Sequence, residues 1–307
     1  LRVRAMVADA DFILSSSPPE SAHVGAWMLA RRFNIPHIVD MRDGWLDEPL
    51  KPILINSALR RWLEARLEAR IIADASRIFV TSNIWCDLLC RRLQLASKKI
   101  VVITNGYPRN TGCDDVKHNF GDGGNRLVLI HAGRFTGSRK TQKPILLLAP
   151  LLNAIQENEA RGTVRLIGEI HKEEIAEIDK YREQFGDFGW HIECVGAMQR
   201  DRLLEVLPTA NGLLLLSASH AAIPSKLFEY IASRRPILAV TEKGSATWQI
   251  CEKLPQAFLV EFGCEPSEST VRDFLKCAAT HNSLGTCPEE YSEKYLSRKF
   301  RDCICAL

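Results

Sequence analysis

Short apolar runs alternate with amphipathic stretches along most of this chain. Residues 12–16, 37–41, 77–82, 100–103, 127–132, 164–168, 191–195, 213–217 and 236–240 read as strands. Between them, residues 21–33, 57–73, 84–93, 144–157, 172–185, 201–207, 225–232 and 246–252 space their apolar positions as helices do. Runs such as LLLLS at 213–217 are apolar throughout instead of alternating, which fits strands covered on both faces. Strand and helix in alternation predict an α/β protein built on parallel sheets.

The alternation breaks once, at 105–125, where Gly, Asn, Asp and Pro crowd together. Regular βα patterns stand on either side, so two Rossmann-like domains are expected. The boundaries read as 1–108 for an amino-terminal domain, 109–125 for a linker and 126–288 for a second domain. Residues 289–307 form a last helix with Tyr295, Leu296, Phe300, Cys303 and Ile304 on one side.

Composition narrows this picture. Forty basic against 37 acidic residues, a formal charge of +3 over 307 residues, exclude a surface-wide nucleic-acid footprint, so no nucleic-acid partner is expected. The ten cysteines never form a C-x-x-C pair and read as reduced, mostly small core residues. No run is long and unbroken enough to span a membrane, and a cytoplasmic protein is expected. The chain opens on Leu1, in what reads as mid-domain, so the expectation is of an amino-terminal domain lacking its first strand.

In open parallel sheets ligands bind beyond the carboxyl ends of the strands. Three stretches follow strands and carry chemistry. GRFTGSRK at 133–140 sets Arg134, Arg139 and Lys140 on a turn opened by Gly133, which suits an anion with several oxygens, such as a diphosphate. Alone, that stretch reads equally as a solvated turn with three cations. IPSKLFEY at 223–230 places Pro224 at a helix start, where the amides of Ser225, Lys226 and Leu227 can face an anion. Glu229 shares a helix face with Lys226, either to accept two vicinal hydroxyls or as a surface ion pair. RDGW at 42–45 offers Asp43 as a catalytic carboxylate or as a turn aspartate, and Trp45 as a sugar platform or a core residue. His23 and His131 read as structural.

These residues carry a resemblance. Gly133 and Arg134 followed by Arg139, then HAAIPSKLFEYIASRRPIL from 220, resemble the donor half of GT-B glycosyltransferases of the family 4 type, in the branch that builds bacterial lipopolysaccharide and exopolysaccharide. SSSPPESAH from 15, IPHIVDMRDGW from 35 and VITNGY from 102 resemble the acceptor half in the same order. The resemblance implies that Arg134 and Arg139 bind and activate the diphosphate of a nucleotide-sugar. Gly133, Lys140 and the amides of Ser225, Lys226 and Leu227 would lie beside it, with Glu229 on the ribose. It implies retaining transfer to a glycan or lipid-linked acceptor, no metal and no resident cofactor, and a last helix that crosses back to the first domain.

The sequence departs from that pattern in places. Ala221 stands where relatives carry an acidic residue, Arg42 and Asp43 stand where many carry a histidine, and Arg234 and Arg235 replace a helix-ending glycine. Two other readings therefore stay open: a sugar-nucleotide 2-epimerase on the same fold, and a non-catalytic nucleotide-binding remnant. The stretch 57–72 adds four arginines beside a stripe of Leu59, Leu63, Leu67 and Ile71. It reads either as a core-packed helix or as a peripheral contact with an anionic membrane.

Overall fold

The structure, a computed structural model, describes residues 9–47, 57–94, 97–108, 126–135, 143–156, 160–264, 268–280 and 285–306. The chain divides into two compact units, Leu1–Thr104 with Leu296–Leu307, and Asn105–Tyr295. Asn105 to Pro108 go with the second unit because Tyr107 is tied there. Its N–H donates to Tyr291 O at 2.9 Å, its carbonyl accepts from Glu293 N at 3.0 Å, and its hydroxyl donates to Pro288 O at 3.1 Å.

The first unit holds a parallel sheet ordered β1 (Ile13–Ser17), β2 (His37–Met41), β3 (Arg77–Val80), β4 (Ile100–Val102). Helices α1 (Ser21–Phe33), α2 (Ala58–Asp74) and α3 (Asn83–Leu93) link successive strands. Helix α10 (Glu293–Cys305) ends the chain, and its Leu296, Phe300, Cys303 and Ile304 pack on Ile38, Phe79 and Ile103. Tyr295, expected on that face, stays 38 % exposed. The stripe on α2 divides: Ile71 and Ile72 are buried in the core, whereas Leu59, Trp62 and Leu63 are exposed, with the Arg66 guanidinium 4.1 Å from the Trp62 ring. The carboxyl-terminal half of the stripe packs in the core and the amino-terminal half does not, a division that periodicity alone does not encode.

The second unit is a six-stranded all-parallel sheet. Its strands are β5 (Arg126–Ala132), β6 (Arg161–Ile167), β7 (Trp190–Gly196), β8 (Gly212–Ser217), β9 (Ile237–Thr241) and β10 (Ala257–Glu261). They lie in the order β10-β9-β8-β5-β6-β7. The chain runs outward from β5 to β7 and then returns to the other side of β5 as β8. Helices α4 (Ile145–Gln156), α5 (Lys172–Asp187), α6 (Arg200–Val206), α7 (Ser225–Ser233), α8 (Ala246–Cys251) and α9 (Glu268–Ala279) cover it. Every residue of β8 and β9 is buried. Each leucine so enclosed contributes ~1.5–3 kcal/mol, which is why these strands tolerate no alternation. Gly162 in β6 is needed for packing, since a Cβ there would stand 2.4 Å from Leu127 O and 2.6 Å from the Trp190 ring.

All the expected strands are present; β10 and α9 were not foreseen. The cysteine expectation needs correction: of the described cysteines only Cys251 is buried, and Cys194, Cys264 and Cys305 are exposed. Helix α7 ends with Arg234 at φ 56, the left-handed turn usually taken by glycine. Arg235 is 3 % exposed and gives Nη2 to Pro208 O at 2.6 Å. Among the described residues no helix is long and apolar enough to cross a membrane.

Three histidines are enclosed in these cores. Ser15 Oγ lies 2.7 Å from His23 Nδ1 and 2.8 Å from His37 Nε2, beneath α1. His131, at the end of β5, donates from Nδ1 to Leu214 O at 2.9 Å and stacks on Phe135. Burial lowers all three, His37 and His131 to about 4. Folded histidines then titrate below their unfolded counterparts, which take up protons near 6.5. Stability is therefore complete above about pH 6.5 and falls as the pH drops toward about 4, by up to ~1.4 kcal/mol per pH unit for each histidine. Urea unfolding between about pH 7 and about pH 5, before most carboxylates titrate, should show this slope. A flat profile across that window would refute the neutral, buried state of these rings.

Candidate functional site

The reversal of strand order between β5 and β8 opens a crevice at their carboxyl ends, the position where doubly wound sheets take ligands. The two strands pair only at Leu129↔Gly212, Ile130↔Leu213 and His131↔Leu214. Beyond that point Tyr230 of α7 bridges them. Its hydroxyl accepts from Ala132 N at 2.7 Å and donates to Leu214 O at 3.3 Å, and burial first of all pushes its own ionisation well upward. His131 Nε2, buried at the base of the loop, has no hydrogen-bond partner among the described residues.

Gly133 leaves β5 with φ 145 and Gly168 leaves β6 with φ 153, backbone that other residues rarely adopt. The two glycines are in contact: a Cβ on Gly168 would lie 2.1 Å from Gly133 O. Gly133 N donates to Ile167 O at 2.8 Å and Gly168 N to Gly196 O at 2.9 Å, so the ladder continues past the strands and holds the loop edge in place. Arg134 follows, 64 % exposed, in an ion pair with Glu169. Arg139 and Lys140 lie outside the described residues.

On the other side of the crevice, Pro224 caps α7 with φ −59 and ψ 130. The amides of Ser225 and Lys226 open the helix. That of Leu227, expected to face an anion, instead donates to Pro224 O at 3.0 Å, because the first turn closes three residues back, and its side chain is fully buried. Glu229 is 5 % exposed and bonded on both oxygens: Lys226 Nζ stands 2.7 Å from Oε2 and Arg200 Nε 3.1 Å from Oε1. The ion pair weighed from spacing is therefore present, joined by an arginine that sequence reasoning missed. Arg200 and Glu169 both follow strands, the signal used to choose the other candidates.

The first unit carries Asp43 on the bend after β2, and this loop is fixed at both ends. Arg42 reaches Ile103 O at 3.3 Å; Trp45 donates from its indole to Glu64 at 3.2 Å. Arg92 binds Asp47 and the fully buried Glu68 together, with two bonds of 2.8 Å to the Glu68 carboxylate. Gly44 allows the backbone to lie on the Trp85 ring, 2.3 Å from where a Cβ would be. Trp45 is 3 % exposed and serves the core, not as a platform for a sugar. Asp43 is exposed, and among the described residues its carboxylate takes neither a cap nor an ion pair. His23 and His131 are both buried.

Residues 1–106 match the family model described as a glycosyl transferase 4-like domain. HepE of Anabaena in complex with UDP superposes with a TM-score of 0.72 at 13 % identity, over 100 % of this chain and 81 % of that one. Its complex with UDP-glucose gives 0.67 at 14 %, with the same coverage. Residues 1–106 are thus similar to a glycosyl transferase 4-like domain, and the chain as a whole has the two-domain GT-B fold. UDP-GlcNAc 2-epimerase of Methanocaldococcus jannaschii shares the fold at a TM-score of 0.54 and 11 % identity, covering 100 % of this chain and 79 % of that one. At such identities the likeness is one of fold. No curated protein sequence matches the chain.

In this glycosyltransferase fold the Tyr230 bridge sets the crevice. Tyr230→Phe leaves the Ala132 N–H without its acceptor, while His131 still serves Leu214 O. Stability should fall by ~1–3 kcal/mol in urea unfolding. An unchanged midpoint would mean that another group satisfies this amide.

Proposed function

We propose that the chain transfers a sugar from a nucleoside-diphosphate-sugar to a glycan or lipid-linked acceptor in cell-surface polysaccharide synthesis, lipopolysaccharide included. The reading takes the donor to be a UDP-sugar, as bound by HepE, with retention at the transferred carbon and with neither metal nor resident cofactor. One observation carries it. Arg134 on one flank of the β5/β8 crevice, and Lys226, Glu229 and the amides of Ser225 and Lys226 on the other, supply cations and a carboxylate where a nucleotide binds such sheets.

In this reading the departing UDP gathers negative charge, and Arg134, Arg139, Lys140 and Lys226 stabilise it by charge-assisted bonds. Gly133 allows the backbone to approach the diphosphate, Glu229 accepts the two ribose hydroxyls, and Asp43 is the catalytic carboxylate of the acceptor-side domain. The exposed Leu59, Trp62 and Leu63, beside Arg60 and Arg66, support a peripheral contact with an anionic membrane and a location at its cytoplasmic face.

Calorimetric titration tests the donor half. UDP should bind and raise the melting temperature. Arg134→Ala should weaken binding about tenfold. Glu229→Ala should cost about 1.5–3 kcal/mol with UDP and much less with 2′-deoxy-UDP. Equal losses with both ligands would remove ribose from the Glu229 assignment. Incubation with UDP-sugars should yield UDP only when an acceptor is present; epimerised donor without acceptor would replace the transferase reading.

A further inference from the structure

Arg200 opens α6, the helix that brings the chain from β7 back to β8 on the far side of β5. From there it reaches Glu229 of α7, a different element, with its Nε 3.1 Å from Oε1. Lys226 holds the second oxygen at 2.7 Å. A single cation suffices to neutralise a carboxylate, yet this one takes two. The two cations differ in what else they can do. Lys226 stands at the open start of α7, beside the amides where an anion would arrive, whereas Arg200 approaches from the side of α6 and makes no other bond among the described residues. We infer that Arg200 is a positioning residue, which keeps Glu229 ionised and aimed at a pair of hydroxyls when Lys226 turns to a diphosphate. This rests on the reading that Glu229 receives the ribose of the donor.

The physical argument is one of charge. A bound diphosphate draws the Lys226 ammonium away from Oε2 and sets negative charge near Glu229. A nearly buried carboxylate beside another anion, with no cation of its own, takes up a proton. Once protonated it donates from one oxygen and can no longer accept two hydroxyls. The guanidinium of Arg200 does not lose its proton, and it keeps its bond to Oε1 while Lys226 is engaged elsewhere. The charged groups on Glu229 are Lys226 from its own helix and Arg200 from α6; Tyr230, next along α7, is kept neutral by burial. The Arg200 side chain is 63 % exposed, so the pair adds little to folding.

The test uses methyl-capped UDP, whose diphosphate does not titrate near neutrality, and its 2′-deoxy analogue. Both are titrated calorimetrically into the parent chain, Arg200→Met and Arg200→Lys between about pH 6 and about pH 8.5. The parent should bind the ribo ligand with a flat pH profile and discriminate against the deoxy ligand. Arg200→Met should lose about tenfold or more at the upper pH, recover as the pH falls, and lose most of its discrimination. Arg200→Lys should restore both the flat profile and the discrimination. A folded Arg200→Met with the affinity, discrimination and pH profile of the parent overturns the inference while leaving the donor reading standing. A parent chain that binds neither ligand overturns both.

Discussion

The hydroxyl of Tyr230 holds together two strands at the place where they stop pairing. Beyond the His131↔Leu214 pair, β5 and β8 separate, and a parallel ladder offers no partner to the next backbone groups. A buried amide without an acceptor costs ~1–3 kcal/mol, so the opening can exist only if something else serves it. The fully buried phenol does this from α7, accepting from Ala132 N and donating to Leu214 O. The same bond fixes the rotation of α7 about its own axis. Lys226 and Glu229 therefore stand where they do because Tyr230 is anchored in the sheet. On the other flank, the contact between Gly133 and Gly168 plays the corresponding part with backbone alone, since any side chain at Gly168 would strike the Gly133 carbonyl.

The first unit reaches a fixed loop by other means. Arg92 binds Glu68 and Asp47 together, and Glu68 has no exposed surface. Burial raises the Glu68 carboxyl against the opposing pull of Arg92, which marks a pair that costs desolvation and returns geometry. What it holds is the far end of the loop that begins at Arg42, while Trp45 and Glu64 hold the middle. Asp43 is left as an exposed carboxylate on a backbone that is fixed on either side of it.

The architecture was legible where the chain obeys one rule at a time. Strands such as LLLLS at 213–217 are apolar on both faces and flanked by helices, and no other element fits them. Strand β10 was missed because its five residues are mostly half-buried, an edge that has neither the continuous run nor the clean alternation. The site was legible in its local part: Gly133 and Arg134 follow one strand, and Lys226 and Glu229 share a helix face. Arg200 was not, because it meets Glu229 across 29 positions through a crossover, and nothing in helical or strand period encodes that meeting. Trp45 and the Leu227 amide show the converse. Residue type and position permitted a ligand role for both, and packing assigned them elsewhere.

Three ion pairs of this chain differ in exposure, and with it in how readily they exchange. Arg134 and Glu169 are both more than half exposed, at 64 % and 55 %, so their attraction is worth about 0–1 kcal/mol and an arriving anion can take the arginine at little cost. Lys226 and Glu229 are intermediate, at 29 % and 5 %, so exchanging the lysine is feasible only while another cation stays on the carboxylate. Glu68, at 0 % beside Arg92 at 28 %, has no second cation among the described residues, and taking the arginine away would leave its buried charge alone. Exchangeable pairs line the crevice and the unexchangeable one fixes the loop of the other unit. A cation held by an exposed carboxylate, as Arg134 is by Glu169, is placed in advance yet still available to another anion.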